Sequence, residues 1–311
     1  MEFKAIKLVL EDGSTFHGKS FGYEDSIAGE VVFNTAMTGY PESLTDPSYK
    51  GQLLVLTYPI IGNYGVPRED AENDLYKFFE SDQLHISALI ISDYSTEYSH
   101  WNAEKSLGDW LKQNKIPGIF DVDTRLITKL LREKGSMLGK IVFEENEPSA
   151  YDPNLENLVA QVSVGEKKVY GKGKYRILLL DCGVKYNIIR YLLERNTTVI
   201  RVPWDHDISK EEYDGLFISN GPGDPKQCQA TIASLAKAFE EVYMVGRNTA
   251  KLLALREAIK KETPGVKIHI STRPDRYLPE MDVIVTATSG AGKAILDIMR
   301  VKPGCIITDV A

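Results

Sequence analysis

The sequence is short of cysteine, of basic charge and of long apolar runs, and each shortage excludes a class of protein. Three cysteines in 311 residues, none closely spaced, give no disulfide framework and suit a reducing compartment. A formal charge of −7 argues against a broad nucleic-acid or anionic-membrane surface. No apolar run reaches the roughly 20 residues that a membrane-spanning helix requires. Met1-Glu2-Phe3-Lys4 runs straight into the apolar stretch Ala5–Leu10, without the pattern of a signal or transit segment. Internal repeats, low-complexity tracts and metal-ligand spacings are lacking too. These readings predict a cytoplasmic, soluble protein of about two domains.

What is present has three textures. Residues 1–143 alternate short apolar stretches, among them Ala5–Leu10, Leu53–Thr57 and Ala88–Ser92, with Gly, Pro and Asp turns. Asp12-Gly13 is hairpin chemistry. Asp123 or Thr124 can cap a helix with Leu126, Ile127, Leu130 and Leu131 on its apolar face and Gly135 as its stop. An N-terminal α+β domain is predicted. Residues 144–174 are polar, with Pro148, Pro153 and the run Gly171-Lys172-Gly173-Lys174, and read as a linker.

From Tyr175 the pattern is βα. Seven apolar strands are predicted: Ile177–Leu180, Thr198–Val202, Gly215–Ser219, Val242–Val245, Val266–Ile270, Val283–Ala287 and Cys305–Val310. Near-continuous apolar strands alternating with helices argue for a mostly parallel sheet covered on both faces. The expected fold class is therefore α/β. It combines the α+β domain with one doubly wound sheet, whose ligand crevice lies near Gly183, Gly221 and Gly246.

The run Ser219-Asn220-Gly221-Pro222-Gly223-Asp224-Pro225 carries the most chemistry, because glycines beside a proline let a backbone approach a ligand closely. Together with Asp181-Cys182-Gly183-Val184-Lys185-Tyr186-Asn187 it resembles the start of a class I glutamine amidotransferase domain. Upstream, four runs extend the likeness: Gly29–Thr35, Met37–Glu42, Leu44–Tyr49 and Leu56–Gly65. So do Asp123-Thr124-Arg125 and Leu131–Gly135. Residues 1 to about 235 thus resemble the small subunit, or glutaminase half, of carbamoyl-phosphate synthetase. Tyr40-Pro41, Ser99-His100-Trp101 and Val202–His206 look like the version inside the eukaryotic pyrimidine-pathway fusion protein.

The resemblance implies a ligase component that takes ammonia from glutamine and passes it to a large synthetase partner. That partner makes carbamoyl phosphate with ATP, for pyrimidine or arginine synthesis. It places glutamine binding on Ser48, Gly221 and Gly223, although the residues alone also allow Ser48 to be a plain turn hydroxyl after Asp46-Pro47.

The family also needs a cysteine nucleophile on a Gly-x-Cys-x-Gly turn, with a histidine base. No such turn occurs in this sequence. Cys182, Cys228 and Cys305 read as structural, and neither His206 nor His269 follows a cysteine with triad logic. No catalytic residue is assigned, and the chain is expected not to hydrolyse glutamine.

Residues 239–311 resemble part of an NAD(P)-binding Rossmann segment. Gly246-Arg247-Asn248 follows a strand as an adenosine-ribose contact would, and the arginine would favour NADP. The G-x-G-x-x-G turn is missing, and Gly-rich turns of an ordinary sheet are the plainer reading. The domain boundaries read as 1–143, 144–174, 175–238 and 239–311. Three readings follow: a synthetase small-subunit homologue, an NADP-binding dehydrogenase-like protein, and an artefactual join near Phe239. None involves nucleic acid or membrane.

Overall fold

The computed structural model describes residues 3–238, 241–245, 249–262, 264–273, 277–281, 283–286, 300–301 and 306–309. It falls into two compact units. One comprises Met1–Leu158 with Lys185–Arg190, the other Val159–Val184 with Tyr191–Ala311.

The first unit is built on a closed barrel of seven strands: β1 (Ala5–Leu10), β2 (Thr15–Ser20), β3 (Ile27–Asn34), β4 (Gln52–Leu56), β5 (Ala88–Ile90), β6 (Gly118–Phe120) and β7 (Met137–Phe143). Their order around the barrel is β1-β7-β3-β4-β5-β6-β2, closed by β2 pairing with β1. Asp12-Gly13 turns β1 into β2 as expected, with Gly13 at φ 85° and Asp12 accepting from the Ser14 N–H. The pairs β3–β4, β4–β5 and β5–β6 are parallel. These parallel strands are apolar on both sides because both sides are covered. Leu53, Val55, Ala88 and Ile90 face a core that also takes Leu8, Val31, Ile119 and Ile141. Leu54, Leu56, Leu89 and Ile91 face a second core with Phe21, Leu107, Trp110 and Leu111.

The helix Thr124–Lys134 is capped by Asp123, whose side chain accepts from the Leu126 N–H at 2.9 Å, and it stops at Gly135 (φ 92°). Its buried stripe is Thr124, Ile127, Thr128 and Leu131, the i, i+3, i+4, i+7 set. Leu126, predicted on that face, is 47% exposed. The helix buries two threonines where the sequence suggested leucine, and the Thr128 hydroxyl is satisfied by donating to the Thr124 carbonyl at 2.7 Å.

Lys185–Arg190 is held in the first unit by Glu80. Its carbonyl accepts from the Tyr186 N–H at 2.8 Å and its carboxylate from the Asn187 N–H at 2.9 Å. Burial pushes the Glu80 carboxyl above the usual carboxylate range, against the pull of Arg190 and Lys185.

The second unit contains a four-stranded sheet of β8 (Lys168–Tyr170), β9 (Tyr175–Asp181), β10 (Thr197–Pro203) and β11 (Gly215–Ile218), in the order β8-β10-β9-β11. β9 is central and parallel to both neighbours, while β8 is an antiparallel edge strand. The segment expected as a solvated linker is therefore partly structural. Val169 and Lys168 lie open, but Leu158, Val159, Val162 and Tyr170 are buried.

The single seven-stranded sheet is not formed among the described residues. β12 (Glu241–Val245) pairs only with β13 (Lys267–Ser271), in parallel and joined through the helix Thr249–Glu262, and Val283–Thr286 pairs with Ile306–Asp309. The physical reason is the small size of the tail's core. Among the described residues, Ile259 and Val266 are the buried members of the cluster beside β12 and β13, supported by half-buried Ile232, Val242, Met244 and Ile268. The helix Gln229–Ala238 gives Leu235 to the core of the four-stranded sheet and Ile232 to this satellite, so it serves two packing centres. An apolar run marks a strand for burial without stating which edge it joins. Among the described residues no helix is long and apolar enough to cross a membrane.

Candidate functional site

The carboxyl end of β9 organises the second unit's candidate site. Asp181, the last residue of the strand, is fully buried. Its Oδ1 accepts from the N–H groups of Gly183 (2.9 Å) and Val184 (2.8 Å), which folds the chain back directly after the strand. Its Oδ2 accepts from the Val164 N–H (2.8 Å) and from Arg201, at 2.9 Å to Nε and 2.7 Å to Nη2. A carboxylate with this many donors tolerates burial, because each oxygen is solvated by the protein instead of by water. Arg201, only 6% exposed in its side chain, sits mid-strand on β10 and needs this partner.

The glycine run lies against that turn. The Ser219 hydroxyl receives the Cys182 N–H at 2.9 Å and donates to the Asn220 carbonyl at 2.9 Å, tying β11's exit to β9's exit. Gly221 packs so tightly that an added Cβ would overlap the Cys182 carbonyl oxygen and stand 2.8 Å from its carbon. Gly183 adopts φ 123°, and a Cβ there would meet Val162, Pro222 and Gly221 at 3.1 to 3.3 Å. Gly223 is left-handed at φ 77°, a conformation that disfavours a side chain. The structure thus brings Gly221 and Gly183 together, and Gly221 owes its missing side chain to the protein's own backbone.

Ser48 belongs to the first unit. It sits in the single helical turn Pro47–Tyr49, where Asp46 accepts from the Ser48 N–H at 2.9 Å through one oxygen and from Lys185 Nζ at 3.3 Å through the other. Gly246, Arg247 and Asn248 lie outside the described residues, as does Cys305.

The described thiols are poor nucleophiles. Cys182 and Cys228 are buried beside Val159, with Trp204 and Ile218 packed around them. Burial, with lesser contributions from the neighbouring Cys228 and Asp181, pushes the Cys182 thiol up to about 12. Burial also raises Cys228. Thiolate is the reactive form, and at neutral pH neither site supplies it. The histidines are engaged elsewhere. His206 Nε2 lies 3.1 Å from Glu211, while His269 stacks on Tyr243 and lies 2.7 Å from Glu241.

Sequence reasoning passed over Asp181 and Arg201. The available signals were an aspartate between an apolar strand and a glycine, and an arginine inside the otherwise apolar Thr198–Val202.

Two stretches match known families: residues 8–141 match the "Carbamoyl-phosphate synthase small chain, CPSase domain", and residues 178–246 match "Glutamine amidotransferase class-I". The chain is 50% identical over 240 residues to the mouse "Carbamoyl-phosphate synthase [ammonia], mitochondrial", covering 76% of this chain and 16% of that protein. It is 52% identical over 239 residues to "Multifunctional protein CAD" of Squalus acanthias, covering 75% of this chain and 11% of the relative. Against "Multifunctional protein ura1" of Schizosaccharomyces pombe it is 47% identical over 274 residues, covering 77% and 12%. The chain thus spans about a sixth or less of these relatives.

Proposed function

We propose that this chain, homologous over three quarters of its length to carbamoyl-phosphate synthases and their multifunctional relatives, is a small-chain component without hydrolytic activity of its own. It works beside a large synthetase part, as those proteins contain one, toward carbamoyl phosphate for pyrimidine or arginine synthesis in the cytoplasm. Glutamine is its ligand, held through Ser48 and the glycine run. ATP is used by the partner, and the chain needs no cofactor.

One observation carries the inactive half of this reading. The amidotransferase match ends at residue 246 without a Gly-x-Cys-x-Gly run, and the buried thiols at Cys182 and Cys228 are held protonated. Loss of a covalent nucleophile removes several orders of magnitude of rate. The test is ammonia release from glutamine by the purified chain, with calorimetric titration of glutamine alongside. No release above the buffer rate, with saturable binding weakened by Ser48→Ala, supports the proposal. Steady release abolished at any one of the three cysteines refutes it.

A dinucleotide role for the tail draws on one feature, the parallel pair β12 and β13 joined by a helix. NADP is the ligand such a unit would take through Gly246, Arg247 and Asn248. This reading is secondary.

A further inference from the structure

The first unit carries a second place built like a ligand site. A cleft of about 490 Å³ opens at the carboxyl ends of the parallel strands β4, β5 and β6, bordered by Thr57, Asp93, Asp121, Asp123, Thr124 and Arg125. Its volume is that of a small-molecule site, and the exits of adjacent parallel strands are where α/β folds place ligands.

The chemistry of the rim is mixed in sign. Asp93 and Arg125 border the same cleft, yet neither has an ion-pair partner among the described residues. Asp93 receives only a 3.3 Å hydrogen bond from the Ser92 hydroxyl. Asp121 is already paired with Lys19 at 2.9 Å, and Asp123 is committed to capping the Thr124–Lys134 helix. Thr124 gives an independent sign. It is 2% exposed, it lines the cleft, and its hydroxyl has no hydrogen-bond partner among the described residues.

Each simple ligand class fails on one wall. A plain anion would suit Arg125 and the amino end of the helix, but it would meet Asp93, Asp121 and Asp123. A metal cation finds no group of ligating side chains among the described residues. A molecule bearing both charges satisfies both walls. We propose that this cleft binds a free α-amino acid, with its ammonium toward Asp93 and its carboxylate toward Arg125 and the Thr124 hydroxyl.

The inference stands apart from the glutamine reading, because Ser48 and the glycine run take no part in it. The test titrates the full chain with each standard L-amino acid in turn, and with the N-acetyl and carboxamide derivatives of any that binds. Saturable binding of at least one free amino acid is expected, lost for both blocked derivatives. Arg125→Gln and Asp93→Asn should each weaken it about tenfold, the scale of one charge-assisted contact. Both residues are exposed, so these variants should keep the parent melting temperature. Thr124→Val should weaken binding less. If the ligand found is glutamine, Ser48→Ala separates the sites, since binding in the cleft survives that change. Failure of every amino acid to bind, equal binding of the blocked forms, or indifference to both charge substitutions would overturn the proposal.

Discussion

Replacing Asp181 by asparagine tests how the site at the end of β9 is held together. The change keeps the size of the side chain and removes its charge. Arg201 would stay buried and lose the ion pair with Asp181. One half of the new amide would also present N–H donors to backbone N–H groups that now point at an oxygen. Breaking a buried ion pair from one side costs about 3–5 kcal/mol. This is a large part of the roughly 5–15 kcal/mol that holds a typical domain folded. Arg201→Met should cost less, because the Asp181 carboxylate keeps its three backbone donors. A double variant, Asp181→Leu with Arg201→Met, should not recover parent stability, since the N–H groups of Val164, Gly183 and Val184 would lose their acceptor. Urea unfolding followed by circular dichroism, fitted for the second unit's transition, reads all three. A loss below about 1 kcal/mol for Asp181→Asn, or full recovery in the double variant, would refute this account.

Two further predictions concern the same turn. Gly221→Ala should destabilise by about 1–3 kcal/mol or more, because the atoms it strikes are backbone and cannot rotate away; parent-like unfolding would show that the turn opens easily. Cys182, whose folded thiol is raised to about 12 from 9.0, contributes stability that is complete below pH 9 and is lost as pH climbs toward 12. Its alkylation by iodoacetamide at pH 8 should accordingly require denaturant, and rapid modification of the native chain would contradict the burial.

How much of this was legible beforehand depended on whether local chemistry decided the outcome. The Asp12-Gly13 turn was read correctly and the helix cap was narrowed to Asp123 or Thr124, of which Asp123 serves, since a turn and a cap are fixed by neighbouring residues. Leu53–Thr57 was legible as an apolar stretch, but its burial on both sides, in two separate cores, was not expected there. The barrel did not show, because closure depends on β2 meeting β1 while β7 and β6 flank them, and no residue encodes that pairing alone. Leu126 was placed on the wrong face because leucine outweighed threonine by hydropathy, whereas the helix repeat put Thr124 and Thr128 inside. The single sheet failed for a related reason, since strand strength in Val242–Val245 carried no information about its partner. At the site, the glycines were found by their type. Asp181 was missed because its role lies in four partners, and two of them, Val164 and Arg201, are distant in the chain.

The contact between Gly221 and the Cys182 carbonyl also has an evolutionary consequence. Any mutation of that glycine introduces at least a methyl group into space the backbone already fills, so selection for folding alone is enough to preserve it. A lineage that gave up glutamine chemistry would shed its nucleophile freely and keep its glycine run. In such a lineage the motif would outlast the reaction, because the scaffold has its own use for it.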